Sequence, residues 1–281
     1  MHLLLTNDDG IGSPGLAALY ESLSAIATVT VVAPAADQSG VGRTRSDLSF
    51  ELDNRITVDD HEWGYVVDGT PADCVAAGLR GIPEADEIDL VVSGANDGPN
   101  VGSYILGHSG TVGAAVEAAF LGTPAIAVSG YDRETYFPED SDDRSFGPIA
   151  TATRELIELI ADSSLFDGEI DYLNVNVPTE PADSIAVTRP LADYDTAVVA
   201  ADDGSKAFES NYWATHPVDG EGFPTGFDRY AGAYPAWSDR AAVVDGAISL
   251  TPLGTPQSVV ETPPALAEVV EQYNSGADTE L

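Results

Sequence analysis

Five short runs of the chain are almost continuously apolar: residues 2–5, 28–33, 88–93, 124–129 and 172–177. Successive side chains of a strand point to opposite faces, so a run without polar alternation predicts a strand covered on both faces, as in a parallel sheet. Other segments place apolar residues three and four positions apart: residues 15–26, 71–79, 111–121, 148–161 and 264–273. That spacing predicts helices with one buried face. Strand and helix alternate along the chain, which predicts a doubly wound α/β fold with its ligands at the carboxyl ends of the strands.

Two regions break the rhythm. Residues 48–58 hold two short strand-like runs around Asp53 and Asn54, the pattern of a hairpin. Residues 206–237 are rich in glycine, proline and aromatics without a helical period, and they read as an extended lobe that contacts another subunit rather than as a second hydrophobic domain. No internal repeat is visible, and residues 275–281 read as a frayed end. The expectation is one domain over residues 1–281, with a core over about 1–190 and an extended C-terminal lobe over about 191–281.

A hydrophobic content of 43% suits a folded core. No stretch approaches the roughly 20 apolar residues of a membrane span, and the first strand meets Asp8 and Asp9 too early for a secretory signal. A soluble, cytoplasmic protein is expected, with no membrane partner. Cys74 is the single cysteine, which excludes an internal disulfide and a cysteine-based metal cluster. Charge changes the picture more: 47 acidic residues stand against 11 basic ones, a net charge of −36, and Lys206 is the single lysine. The acids are interleaved with the apolar periodicity, so they form a solvated shell on a folded body. Such a shell repels itself unless salt on the order of molar shortens the Debye length to about 3 Å, which points to a salt-adapted protein. No basic stripe exists to neutralise phosphates, so nucleic-acid polymers are not expected as partners.

The first strand ends in TNDDGIGSPG, which sets Asp8 and Asp9 on a glycine-rich turn ahead of a helix. Hard divalent cations take carboxylate oxygens, and two adjacent acids on a turn can serve one ion. One aspartate would suffice as a helix cap. Gly10, Gly12 and Gly15 also match the G-x-G-x-x-G fingerprint, with Asp37 as the acid for a ribose, which makes an NAD-dependent oxidoreductase the alternative. In that reading Asp8 and Asp9 would repel the pyrophosphate. The second strand delivers Ser39 in a turn beside Gly40 and Gly42, either a simple chain reversal or a neutral oxygen ligand. Asn96 and Asn100 lie among glycines in SGANDGPNVG, as turn residues or ligand contacts. Ser109, Gly110 and Thr111 open an alanine-rich helix, where a hydroxyl can cap and free N–H groups can bind an anion. His108 beside them is either structural or a general acid.

In order and spacing, TNDDG, VAP followed by QSG, GTPADCV, SGANDGPNVG, SGTVGAA, NVNVP and ISLTPL resemble the SurE survival-protein nucleotidases, over residues 1 to about 253. With the acidic surface, the resemblance is to members of haloarchaeal type. It implies a Rossmann-like, mainly parallel sheet with a smaller C-terminal part that exchanges segments in homodimers or homotetramers. It also implies one Mg²⁺ or Mn²⁺ per subunit, held by Asp8, Asp9, Ser39 and Asn96. The activity so implied is hydrolysis of nucleoside 5′-monophosphates. With it, Asp8 and Asp9 are expected at the catalytic centre, and the hydroxyls and N–H groups noted above place Asn100, Ser109, Gly110 and Thr111 on the phosphate. A nucleotide-binding regulator without turnover would use the same phosphate site. Between Asn100 and Ser109 the chain departs from the family, since VGSYILGH is one residue longer than the bacterial form and lacks its Asp-Val pair.

Overall fold

The computed structural model describes residues 1–48, 55–82, 88–132, 145–161, 163–182, 184–201, 204–211 and 234–255. At the centre of the main sheet, β1 (His2–Thr6) lies parallel to β2 (Thr28–Pro34) on one side and to β5 (Leu90–Asp97) on the other. β6 (Ala125–Tyr131) and β7 (Tyr172–Pro178) continue the parallel order. On the far side of β2, β4 (Gly64–Asp68) joins in parallel, and β3 (Thr57–His61) folds back antiparallel on β4. The other edge is closed by β11 (Ile248–Leu253), antiparallel to β7, and by β8 (Ile185–Val187), parallel to β11.

The leucines of β1 explain its unbroken apolar run. Leu3 and Leu5 face α1 (Pro14–Leu23) and α5 (Gly147–Ala161), packing with Leu16, Leu19, Ile149 and Ile157. Leu4 faces α2 (Pro71–Arg80) and α4 (Gly110–Phe120), packing with Cys74, Val75, Val112 and Ala115. All three leucines are fully buried, and each burial is worth roughly 1.5–3 kcal/mol. A helix layer on each face makes this the α/β fold that the pattern predicts.

The helix starts are written locally. Ser13 caps α1 by accepting from the Leu16 N–H at 3.2 Å, with Pro14 at the first helical position. Thr70 and Asp73 form a reciprocal capping box on α2.

The hairpin expected around Asp53 and Asn54 falls on residues 49–54, outside the described residues, as do the helix expected at 264–273 and most of the aromatic lobe. The described hairpin that follows it in the chain is β3 with β4. The sheet does not end near residue 190. β11 returns into it beyond the ribbon of β9 (Asp195–Ala200) and β10 (Lys206–Asn211), and α6 (Asp239–Val244) packs on a small core that includes Val101, Tyr131 and Leu191. Among the described residues, no helix is long and apolar enough to cross a membrane.

Candidate active site

Asn7, fully buried, shapes the turn that leaves β1: its amide donates to the Gly10 carbonyl at 2.9 Å and to Ser13 Oγ at 2.7 Å. Asp8 follows at 3% exposure and points at the start of α4. Its Oδ1 accepts a short hydrogen bond from the Thr111 hydroxyl, and its carboxylate accepts another from the Thr111 N–H. The approach is so close that a Cβ on Gly110 would stand 2.7 Å from the Asp8 Cβ, so only glycine fits there.

Burial pushes the Asp8 carboxyl up from its ordinary range, against the pull of the bonds from Thr111. Asp9 is pushed up to about 7, first by burial and then by the negative charges of Asp8, Asp37 and Asp97. Among the described residues no basic side chain pairs with Asp8 or Asp9. Carboxylates drawn out of water beside other carboxylates are expensive unless a cation balances them.

The loop after β2 joins this turn, with the Gln38 N–H donating to the Asp8 carbonyl at 2.7 Å. Ser39 is exposed beside it, held by Asp37, whose Oδ1 accepts from the Ser39 N–H at 2.8 Å and its hydroxyl at 2.6 Å. Asn96 lies at the end of β5, just past a bulge at which the register with β6 shifts between Ser93 and Asn96. Bulges re-aim side chains at strand ends. Its amide nitrogen donates to the Gly98 carbonyl at 2.7 Å, which leaves its side-chain oxygen as the atom a cation would take. Among the described residues no three His, Cys, Asp or Glu side chains form a group arranged for a metal ion. Neutral oxygens such as those of Ser39 and Asn96 would have to complete any such set.

The expected phosphate contacts have definite partners. Ser109 is the N-cap of α4, accepting from the Val112 N–H at 3.1 Å, and the Thr111 hydroxyl is engaged by Asp8. The Asn100 amide donates to Ser129 Oγ at 2.9 Å and its N–H donates to Asn176 Oδ1 at 2.8 Å, while its carbonyl accepts from Asn174 at 2.8 Å and Asn176 at 3.1 Å. Asn100 therefore ties three strand ends together behind the site. His108 is exposed, its ring 4.5 Å from that of Tyr104, in the short helix α3 (Ser103–His108).

Asn7 and Asp97 stand outside the expected ligand set yet belong to this site, and Asp37, expected only as a ribose contact, holds Ser39. The signals were present, since Asp97 directly follows Asn96, and Asn174 and Asn176 are polar positions on an otherwise apolar strand.

The sequence model of the family described as Survival protein SurE matches residues 3–196, which include Asp8, Asp9, Ser39, Asn96 and the start of α4. Over 259 residues the chain is 43% identical to the 5′-nucleotidase SurE of Halobacterium salinarum, covering 91% of this chain and 92% of that one. Identity to the Haloarcula marismortui protein of the same name is 41%, covering 98% of this chain and 97% of that one. The crystal structure of the SurE protein from Aquifex aeolicus matches with a TM-score of 0.70 at 31% identity, covering 98% of this chain and 100% of that chain. An acidic turn at the end of β1 facing the start of α4, within a span so matched in sequence and in fold, makes the chain a member of the SurE survival-protein family.

Proposed function

We propose that the chain is a divalent-metal-dependent phosphomonoesterase that hydrolyses nucleoside 5′-monophosphates to nucleoside and phosphate. The observation that carries this reading is the pair of buried Asp8 and half-buried Asp9, beside Asp37 and Asp97 and without a basic partner among the described residues. Asp8, Asp9, Ser39 and Asn96 would hold one Mg²⁺ or Mn²⁺ per subunit. Bound there, the ion supplies positive charge to phosphoryl oxygen and lowers the pKa of a water. Thr111 holds the Asp8 carboxylate in its orientation, and the start of α4 at Ser109, Gly110 and Thr111 favours the phosphate charge. Asn100 fixes the strand ends behind them. The same carboxylates argue against a dinucleotide on this turn, since a pyrophosphate would meet only negative charge.

A phosphate-release screen over nucleoside monophosphates in roughly molar KCl tests the reading. Release from AMP or GMP is expected with Mg²⁺ or Mn²⁺, lost on chelation and in dilute buffer. Nucleotide binding without release would support a regulator instead, and release that survives chelation would overturn the metal. The ribbon β9–β10 supports self-association, because Phe208 is 78% exposed and its cross-strand partner Val198 55%. Light scattering is expected to report a dimer or tetramer.

A further inference from the structure

Positions 110, 113, 117 and 120 fall on one face of α4 at helical spacing, and each meets the site or the loop that carries Ser39. Gly110 receives Asp8. At Gly113 the helix admits the backbone of the loop so closely that a Cβ would collide with the Gly42 carbonyl. Glu117, 7% exposed, accepts from Arg45 Nη1 at 2.8 Å and lies 3.7 Å from Arg43 Nη1. Phe120 carries the Arg43 guanidinium 4.4 Å above its ring. The Gly42 N–H donates to the His108 carbonyl at 3.0 Å, just ahead of the helix. Beyond Arg45 the loop is anchored again, as Ser46 donates to Asp73 through its N–H at 3.0 Å and its hydroxyl at 2.7 Å.

Ser39 itself is exposed and is held locally by Asp37. Its neighbour Gln38 is tied to the Asp8 carbonyl at 2.7 Å and the loop beyond it is seated along α4, so the two anchors together set where Ser39 stands relative to Asp8. In a chain with 11 basic residues, two arginines converge on this one acid. We infer that Glu117 is a positioning residue for the metal site: through Arg43 and Arg45 it holds the Ser39 loop in register with Asp8 along α4. The inference rests on the reading of Ser39 as a metal ligand.

The test is Mn²⁺ binding by titration calorimetry in roughly molar KCl, with circular dichroism melts as a separate measure of folding. Direct hydrogen-bond partners of metal ligands typically contribute about 10–100-fold in affinity; Glu117 acts one step further out, through the arginines, so Glu117→Ala is expected to weaken Mn²⁺ binding by about threefold to tenfold. Glu117→Gln keeps the shape and an oxygen for Arg45, and it is expected to lose less. In a Ser39→Ala background, Glu117→Gln should add almost nothing, because its effect passes through Ser39. If Glu117→Ala fails to fold, Glu117→Gln alone and with Ser39→Ala decides the question. Wild-type affinity in Glu117→Gln, or a loss that adds in full to that of Ser39→Ala, overturns the positioning role. Absence of Mn²⁺ binding by the unaltered protein would overturn the metal reading itself, and this inference with it.

Discussion

Asp73 and Glu117, beside the loop after β2, and Asp8, at the end of β1 with half-buried Asp9 next to it, are buried acids of one fold, and their surroundings differ. Asp73 is 4% exposed and accepts from Ser46 and Thr70, with Arg45 3.8 Å away, while Glu117 has Arg45 and Arg43. Asp8 has the hydrogen bonds from Thr111, and Asp9 has three carboxylates acting on it. Burial alone therefore does not mark a working acid here. The missing countercharge sets Asp8 and Asp9 apart, and it is what supports the proposal that a cation binds there.

The largest effect separating the two groups is expected at the unbalanced one. Asp8→Asn or Asp9→Asn removes one negative charge at constant size, so phosphate release should fall by roughly a thousandfold or more while the protein stays folded. A dinucleotide site would respond with the opposite sign, since lost repulsion would leave NAD binding equal or better. Retained phosphate release in both variants would erase the distinction between the two groups of acids.

At the compensated group the effect is expected on stability. Arg45→Ala leaves Glu117 and Asp73 short of a cation, and it should cost about 2 kcal/mol, less than a fully buried pair because Arg45 is 23% exposed. Thermal melts should show a fall in Tm of several degrees, with no comparable change from Arg80→Ala on the exposed end of α2.

The smallest effect concerns pH. Asp9 has a folded pKa raised to about 7 from 3.8 unfolded, so its ionisation destabilises the metal-free fold, increasingly as pH rises through that window and fully above it. Asp9→Asn should therefore raise the Tm of the chelated protein at about pH 8, with the gain shrinking as pH falls from 7 toward 4. Mn²⁺ binding to the unaltered protein should strengthen with rising pH and level off above about 7, as protons cease to compete. A pH-independent difference in Tm would show that Asp9 is already balanced.

Local pattern was enough for the layers of this molecule. A strand buried on both faces must be apolar throughout, and a helix on a sheet must repeat its apolar face every three or four residues, so β1, β2, β5, β6, β7 and four of the helices could be read directly. The Asp8–Asp9 turn, Ser39 and the start of α4 were legible for a related reason: chemistry at strand ends needs particular residue types within a few positions of a turn. Hydrogen-bond partners across the fold were not. That Thr111 would engage Asp8, that Asn100 would be taken up by Asn174, Asn176 and Ser129, and that Glu117 would receive two arginines from the Ser39 loop depend on elements far apart in sequence. So does the return of β11 into the sheet, a step that its short, half-buried pattern does not distinguish from a lobe strand. Periodicity records which face of an element is dry, whereas the partner that a polar group finds there is decided only when the sheet brings distant strand ends side by side.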